Sequence, residues 1–220
     1  MILGRTYGPV GDWWFEAREF AEPRGAASLR ELLGRCELVA RVFADAELLR
    51  PETLTFSGWL TGPRESSRHI AHSDLVVPLA GNARGLAARG IVPVESLAQK
   101  LGEFAYPLTI EVAGTGIVLD ARGERSAESD VAWLEGLTMG HHVVSVRVQS
   151  DAFLPFSVTG TPQHEIWEHN APRLEAALRE TSALLGVEPS ADFTDHAIID
   201  GFTLRNRTDV DGDVVPSFDG

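Results

Sequence analysis

The sequence predicts an α+β protein, a mostly antiparallel sheet with two longer amphipathic helices, at about 28–44 and 170–185, packed on it. Two observations carry this. Short alternating segments recur along the chain, and apolar stripes at helical spacing occur twice. The length, 220 residues, suits one sizeable core, so the expectation is a single domain over 1–220, with a subdivision near 122–130 as the alternative.

In order, Asp12 to Phe20 reads as a strand, with Trp13, Phe15 and Ala17 alternating with Trp14, Glu16 and Arg18. Ser28 and Glu31 form a capping box that opens the first helix. Leu29, Leu32, Leu33, Cys36, Val39, Ala40 and Phe43 form its buried stripe. Thr53 to Leu60 reads as a strand, and Thr61 to Ser67 as a polar loop. Ser73 to Ala88 is ambiguous, because Pro78 and Gly81 interrupt a helical pattern. Val94 to Leu101 reads as a short helix. Leu108–Val112 and Ile117–Ala121 read as strands of a hairpin turning at Ala113-Gly114-Thr115-Gly116. Arg122 to Asp130 is a polar loop, and Val143 to Gln149 a half-buried strand that Phe153 to Val158 can pair with. The last helix starts at Asn170 as N-cap, with Pro172 in its first turn. It buries Leu174, Ala177, Leu178, Thr181, Leu184 and Leu185, and ends at Gly186. A strand over Ala197 to Leu204 precedes an acidic tail.

Charge excludes more than it assigns. The net charge of −13 argues against nucleic-acid backbones and anionic membrane surfaces, both of which need clustered Lys and Arg. No apolar run reaches the roughly 18 residues of a membrane span. Residues 1–8 lack the basic and apolar regions of a signal peptide, and Cys36 alone cannot form an internal disulfide, so a cytoplasmic location is expected. One lysine against eighteen arginines, with abundant Ala and Gly, reads as a bacterial source of high GC content. Residues 1–150 hold nineteen acidic and fifteen basic side chains, and residues 151–220 thirteen and four. Most of the net charge thus belongs to under a third of the chain, where like charges repel unless a solvated, cationic or basic environment relieves them.

The motifs that name a reaction fail on spacing. His164 and His169 are five residues apart, about 140° around a helix, where a zinc-protease helix needs four and about 40°. His69 and His72 fall in a loop reading, and His141 and His142 must point to opposite faces of a strand. Gly114-Thr115-Gly116 lacks the third glycine of a dinucleotide fingerprint. Asp209-Val210-Asp211-Gly212-Asp213 has its glycine at position four, which excludes an EF-hand. A different aspartate loop for Ca²⁺ or Mg²⁺, with Asp209, Asp211 and Asp213 as ligands, stays open beside an Asp-Gly turn. Cys36 sits on an apolar stripe and reads as core.

These readings point to a non-enzymatic acidic binding protein of inhibitor or immunity type that engages a basic protein partner, with no cofactor required. Trp13, Trp14, Asp192, Asp195 and Asp200 are its expected partner-binding residues, since exposed Trp anchors interfaces and negative charge steers a cationic partner. Two alternatives stand beside it. One is a metal-dependent hydrolase using the C-terminal aspartates with histidines. The other is a homo-oligomer assembled through the Trp13/Trp14 strand.

Overall fold

The computed structural model describes residues 3, 7–19, 26–61, 67–70, 75–101, 104–191 and 194–217. In chain order the elements are β1 (Gly11–Glu16), α1 (Ala26–Asp45), β2 (Arg50–Thr61), β3 (Ser67–Ile70), β4 (Val76–Pro78), α2 (Leu86–Leu101), β5 (Phe104–Leu119), β6 (Arg125–Ser129), β7 (Ala132–Thr138) and β8 (His142–Val148). A short 3-10 turn (Asp151–Phe153), α3 (His164–Leu185), β9 (Ser190–Ala191), β10 (Ala197–Asp200) and β11 (Thr203–Asn206) follow. The fold is α+β. The main sheet runs β3-β2-β5-β7-β8-β1-β9, with β4 on β2 and β6 on β5, and every pairing is antiparallel. β10 and β11 make a separate two-stranded sheet.

Alternation assigns the two faces. Trp13 and Phe15 of β1, Leu54 and Phe56 of β2, Ile110 and Val112 of β5, Leu134 of β7, and Val144, Val146 and Val148 of β8 are buried toward one side. α1 lies on that side, and its expected stripe from Leu29 to Phe43 is buried as the spacing requires. The helix comes close at Gly136, where a Cβ would collide with Cys36 Sγ. α2 packs beside α1, and the Glu37 carboxylate of α1 accepts from Gly85 N and Ala87 N, both 2.9 Å away, satisfying amides at the start of α2.

The other face carries charge. Asp12 accepts from Ser145 Oγ at 2.6 Å and from Arg147 Nε at 3.0 Å. Arg147 also pairs with Glu135 at 2.7 Å and lies 4.8 Å over the Trp133 ring. The register places Trp14, Ser145 and Glu135 in one row across β1, β8 and β7.

Several boundaries differ from the sequence reading. α1 starts at Ala26, so Ser28 lies within its first turn and does not cap it. The ambiguous stretch splits into β4, a turn at Ala80-Gly81, and an α2 that begins at Leu86 and runs through Pro93. The expected hairpin at 113–116 is a continuous strand. Gly114 and Gly116 are needed there because a Cβ at either would collide with the carbonyls of Arg50 and Leu48 as β5 passes β2 and the turn before it. The polar stretch 122–130 contributes β6, which pairs with β5. β7 was not anticipated. Phe153 to Val158 is not a strand partner of β8; it holds part of the 3-10 turn and an isolated bridge from Phe156 to Pro162. The stretch 197–204 folds back as the β10–β11 hairpin, because Gly201, at φ 60°, takes the first central position of a two-residue turn.

Candidate binding cleft

α3 starts six residues before the expected cap. Asn170 does not cap it: it is buried within the helix, where its Oδ1 accepts from Leu119 N at 3.0 Å and its Nδ2 donates to Leu119 O at 2.7 Å. Arg173, one turn on, donates to the carbonyls of Ile117 and Ala46, both at 3.0 Å. These two side chains lock α3 to the end of β5 and to the turn after α1. Leu174, Ala177, Leu178, Thr181 and Ser182 are buried, and Gly186 ends the helix at φ 68°.

The adjoining stripe of α3 is open. Trp167, Ala171 and Glu175 follow at four-residue spacing, and with Glu168, Pro172 and the buried Leu174 they line one wall of a cleft of about 970 Å³. The β10–β11 hairpin forms the opposite wall with Ile198, Ile199, Phe202 and Leu204, and Phe153 and Phe156 lie at the base. The hairpin is pinned from three sides. Trp13 Nε1 donates to Gly201 O at 2.8 Å, Asn206 bonds both the N–H and the carbonyl of Phe156, and Thr194 Oγ1 bonds the carbonyl of Val10 at 3.1 Å. Ile198 remains 46% exposed.

Carboxylates surround this apolar floor. Glu168, Glu175 and Asp200 line the cleft with Arg205 as the one cation among its described lining residues. Arg205 is paired to Asp200 at 2.6 Å, and Glu175 to Arg179 at 2.7 Å. Pro172, on the same wall, has no N–H to give the carbonyl four residues back, that of Glu168. Thr208 and Val214 also line the cleft and bridge to each other, so the intervening Asp209–Asp213 turn stands at its end.

The sequence-derived site residues divide accordingly. Trp13 is not a surface anchor: it is fully buried, and its indole is spent on the Gly201 carbonyl. Trp14 is half-buried on the opposite face of the sheet, and its Nε1 has no hydrogen-bond partner among the described residues. Asp200 lines the cleft, Asp195 is exposed beside the hairpin with its carbonyl accepting from Arg207, and Asp192 lies outside the described residues. Asp209 turns its carboxylate inward: Oδ1 accepts from Asp211 N at 2.9 Å and Asp213 N at 3.0 Å, as in an Asx turn. Among the described residues, no three or more His, Cys, Asp or Glu side chains gather into a set able to hold a metal ion. A metal loop at Asp209, Asp211 and Asp213 therefore has no geometric support.

His164 stacks edge-on against Phe156, with ring centroids 5.2 Å apart, and His169 is exposed. His142 is buried against Thr138 Oγ1 at 2.9 Å. Its pKa lies below the usual value because burial disfavours the charged ring; nearby Glu31 acts against the shift and Arg35 with it. Of the His69 and His72 pair, expected in a loop, His69 lies in β3 opposite Trp59 and His72 lies outside the described residues. Cys36 is fully buried and its thiol is pushed up to about 12, which makes it a core residue and not a nucleophile. The strand β1, through which a homo-oligomer was considered, pairs with β8 along its length and with β9 at Trp13 and Trp14.

The cleft itself was missed at the sequence level. Its signals, Trp167 and Phe202 among acidic neighbours, were present but lie in separate segments. Comparison of the chain with protein-family models, curated proteins and solved structures finds no significant match in any of the three. Among the described residues, no helix is long and apolar enough to cross a membrane.

Proposed function

We propose that this protein is a non-enzymatic acidic binding protein, of inhibitor or immunity type, that engages a basic protein partner. The observation that carries the reading is the coincidence of two features. The segment 151–220 holds thirteen acidic and four basic side chains, and the described lining of the cleft comes entirely from that segment. Apolar surface left open beside Glu168, Glu175 and Asp200, in a segment of net negative charge, suits a partner that supplies apolar anchors and positive charge together. The volume falls within the roughly 300–1,000 Å³ range of ligand sites, so one or two large side chains can be seated.

The test is site-specific photocrosslinking from position 208, exposed at the end of the cleft, in cells that express the full chain. Support is a crosslinked basic protein whose purified form associates with this chain at a rate that falls steeply with salt. Crosslinks only to acidic proteins, no crosslinked protein at all, or association indifferent to salt would each overturn the reading.

A further inference from the structure

We infer that the cleft between α3 and the β10–β11 hairpin is a receptor for a cationic amphipathic helix, which the partner presents apolar face inward. This rests on the binding reading above and specifies how that binding is made.

The argument begins with what the walls offer. α3 is a helix, so its backbone hydrogen bonds are internal, and it presents side chains only. The facing strand β10 is only four residues long, and at its first residue, Ala197, both the N–H and the carbonyl are bonded by Thr194 Oγ1, at 3.0 and 3.1 Å. An added β-strand therefore finds a short edge that is interrupted at one end. What the cleft offers is a trough of side chains. Trp167 to Glu175 covers nine residues of α3, about 12 Å at the helical rise, or roughly two turns of a docked helix. Anchors spaced one turn apart on such a helix would meet Trp167, Phe156, Ile199 and Phe202.

Charge then selects the sign of the occupant. Glu168 and Glu175 stand along the α3 wall, Asp200 at the hairpin end, and the exposed Asp209, Asp211 and Asp213 around the turn between Thr208 and Val214. Asp200 and Glu175 are already paired with Arg205 and Arg179, the latter 4.8 Å over the Phe202 ring, so the excess negative charge that repels an anionic amphiphile and attracts a cationic helix comes from Glu168 and from the Asp209–Asp213 turn.

The experiment uses the full chain and three synthetic peptides of about 14 residues, near the length at which isolated helices are marginal. One is an amphipathic Leu/Lys helix, one its Leu/Glu counterpart, and one a Lys/Ser peptide of equal positive charge. Binding is read by calorimetry, and peptide helicity by circular dichroism. The Leu/Lys peptide is expected to bind about tenfold or more tighter than the Lys/Ser peptide and to gain helicity on binding, while the Leu/Glu peptide does not bind. It should also displace the uncharged apolar probe N-phenyl-1-naphthylamine.

Two exposed-site variants decide between docking and mere attraction. Glu168→Arg should weaken the Leu/Lys peptide about tenfold. Ile198→Asp should weaken it by a similar factor although it adds negative charge, where non-specific attraction would make binding tighter. Unchanged thermal midpoints would confirm that both variants fold. Equal binding of the Lys/Ser and Leu/Lys peptides, or undiminished binding by Ile198→Asp, would overturn the inference. So would a naphthylamine probe that no peptide displaces, which would make the cleft a small-ligand site. The two readings fail separately. A salt-sensitive basic partner that binds Ile198→Asp normally leaves the binding function standing and removes the helix receptor. A peptide-binding cleft without any basic partner in cells does the reverse.

Discussion

The layer between α1 and the main sheet and the cleft between α3 and the hairpin are both lined by large apolar side chains, but only one is closed. Under α1, Leu33, Phe43, Leu54 and Phe56 are fully buried, and the approach is tight enough that Gly136 has no room for a side chain. Across the cleft, Trp167, Phe156, Ile199 and Phe202 keep part of their surface in water, and Ile198 keeps nearly half. Open apolar surface costs about 25 cal/mol per Å² relative to burial. The same chain closes one layer and leaves the other open, which locates the surface available to a partner.

Substitutions can break or sharpen this contrast. The largest effect is expected at Gly114, where a side chain meets backbone atoms of Arg50 and Glu52 that cannot move independently of the sheet. Gly114→Val should cost more than about 4 kcal/mol or abolish soluble folded protein, read by urea denaturation and yield. Leu33→Ala, in the closed layer, should cost about 2–5 kcal/mol in the same assay. Trp13→Phe keeps most of the packing but loses the bond to the Gly201 carbonyl, at about 0.5–1.5 kcal/mol, with faster amide exchange in β10 and β11 as its local signature.

His142 supplies a pH-dependent test of the closed layer. Its folded pKa is lowered, chiefly by burial, so the unfolded chain takes up the proton more readily than the fold does. The stability it contributes is therefore complete above about pH 6.5 and is lost as pH falls below that toward and through the lower folded value. His142→Gln should flatten the stability profile in that window; an unchanged slope would show that the ring titrates freely. The smallest stability effect belongs to the cleft, where Ile198→Ala should stay within about 0.5 kcal/mol of the parent. A loss comparable to Leu33→Ala would show the cleft to be core, and the contrast between the layers would fall.

Periodicity made the closed layer readable. The α1 stripe and the β1 alternation each come from contiguous residues whose spacing reports a single buried face. The errors arose where a residue's usual local role was replaced by a tertiary one. Gly114 and Gly116 resemble a turn in sequence but serve close strand passage, and Asn170 resembles a cap but clamps Leu119. Pro93 and Pro172 each lie within a helix that continues past them. Trp13 and Trp14 were correctly placed on opposite faces, yet alternation alone could not say that the Trp13 indole would be occupied by a carbonyl 188 residues away. The cleft was unreadable for the same reason, since segments around 153–156, 167–175 and 198–214 meet only in the folded chain.

That tryptophan also bears on the order of assembly. Trp13 to Gly201, Val10 to Thr194 and Tyr7 to His196 all join the start of the chain to its last quarter. Contacts of such sequence separation require the largest loops to close and form slowly relative to local ones. During synthesis, β1 has long left the ribosome before its hairpin partner exists. The hairpin wall of the cleft is therefore the last part of the molecule to be completed, and a chain truncated before residue 201 would have its main strands but no β10–β11 hairpin.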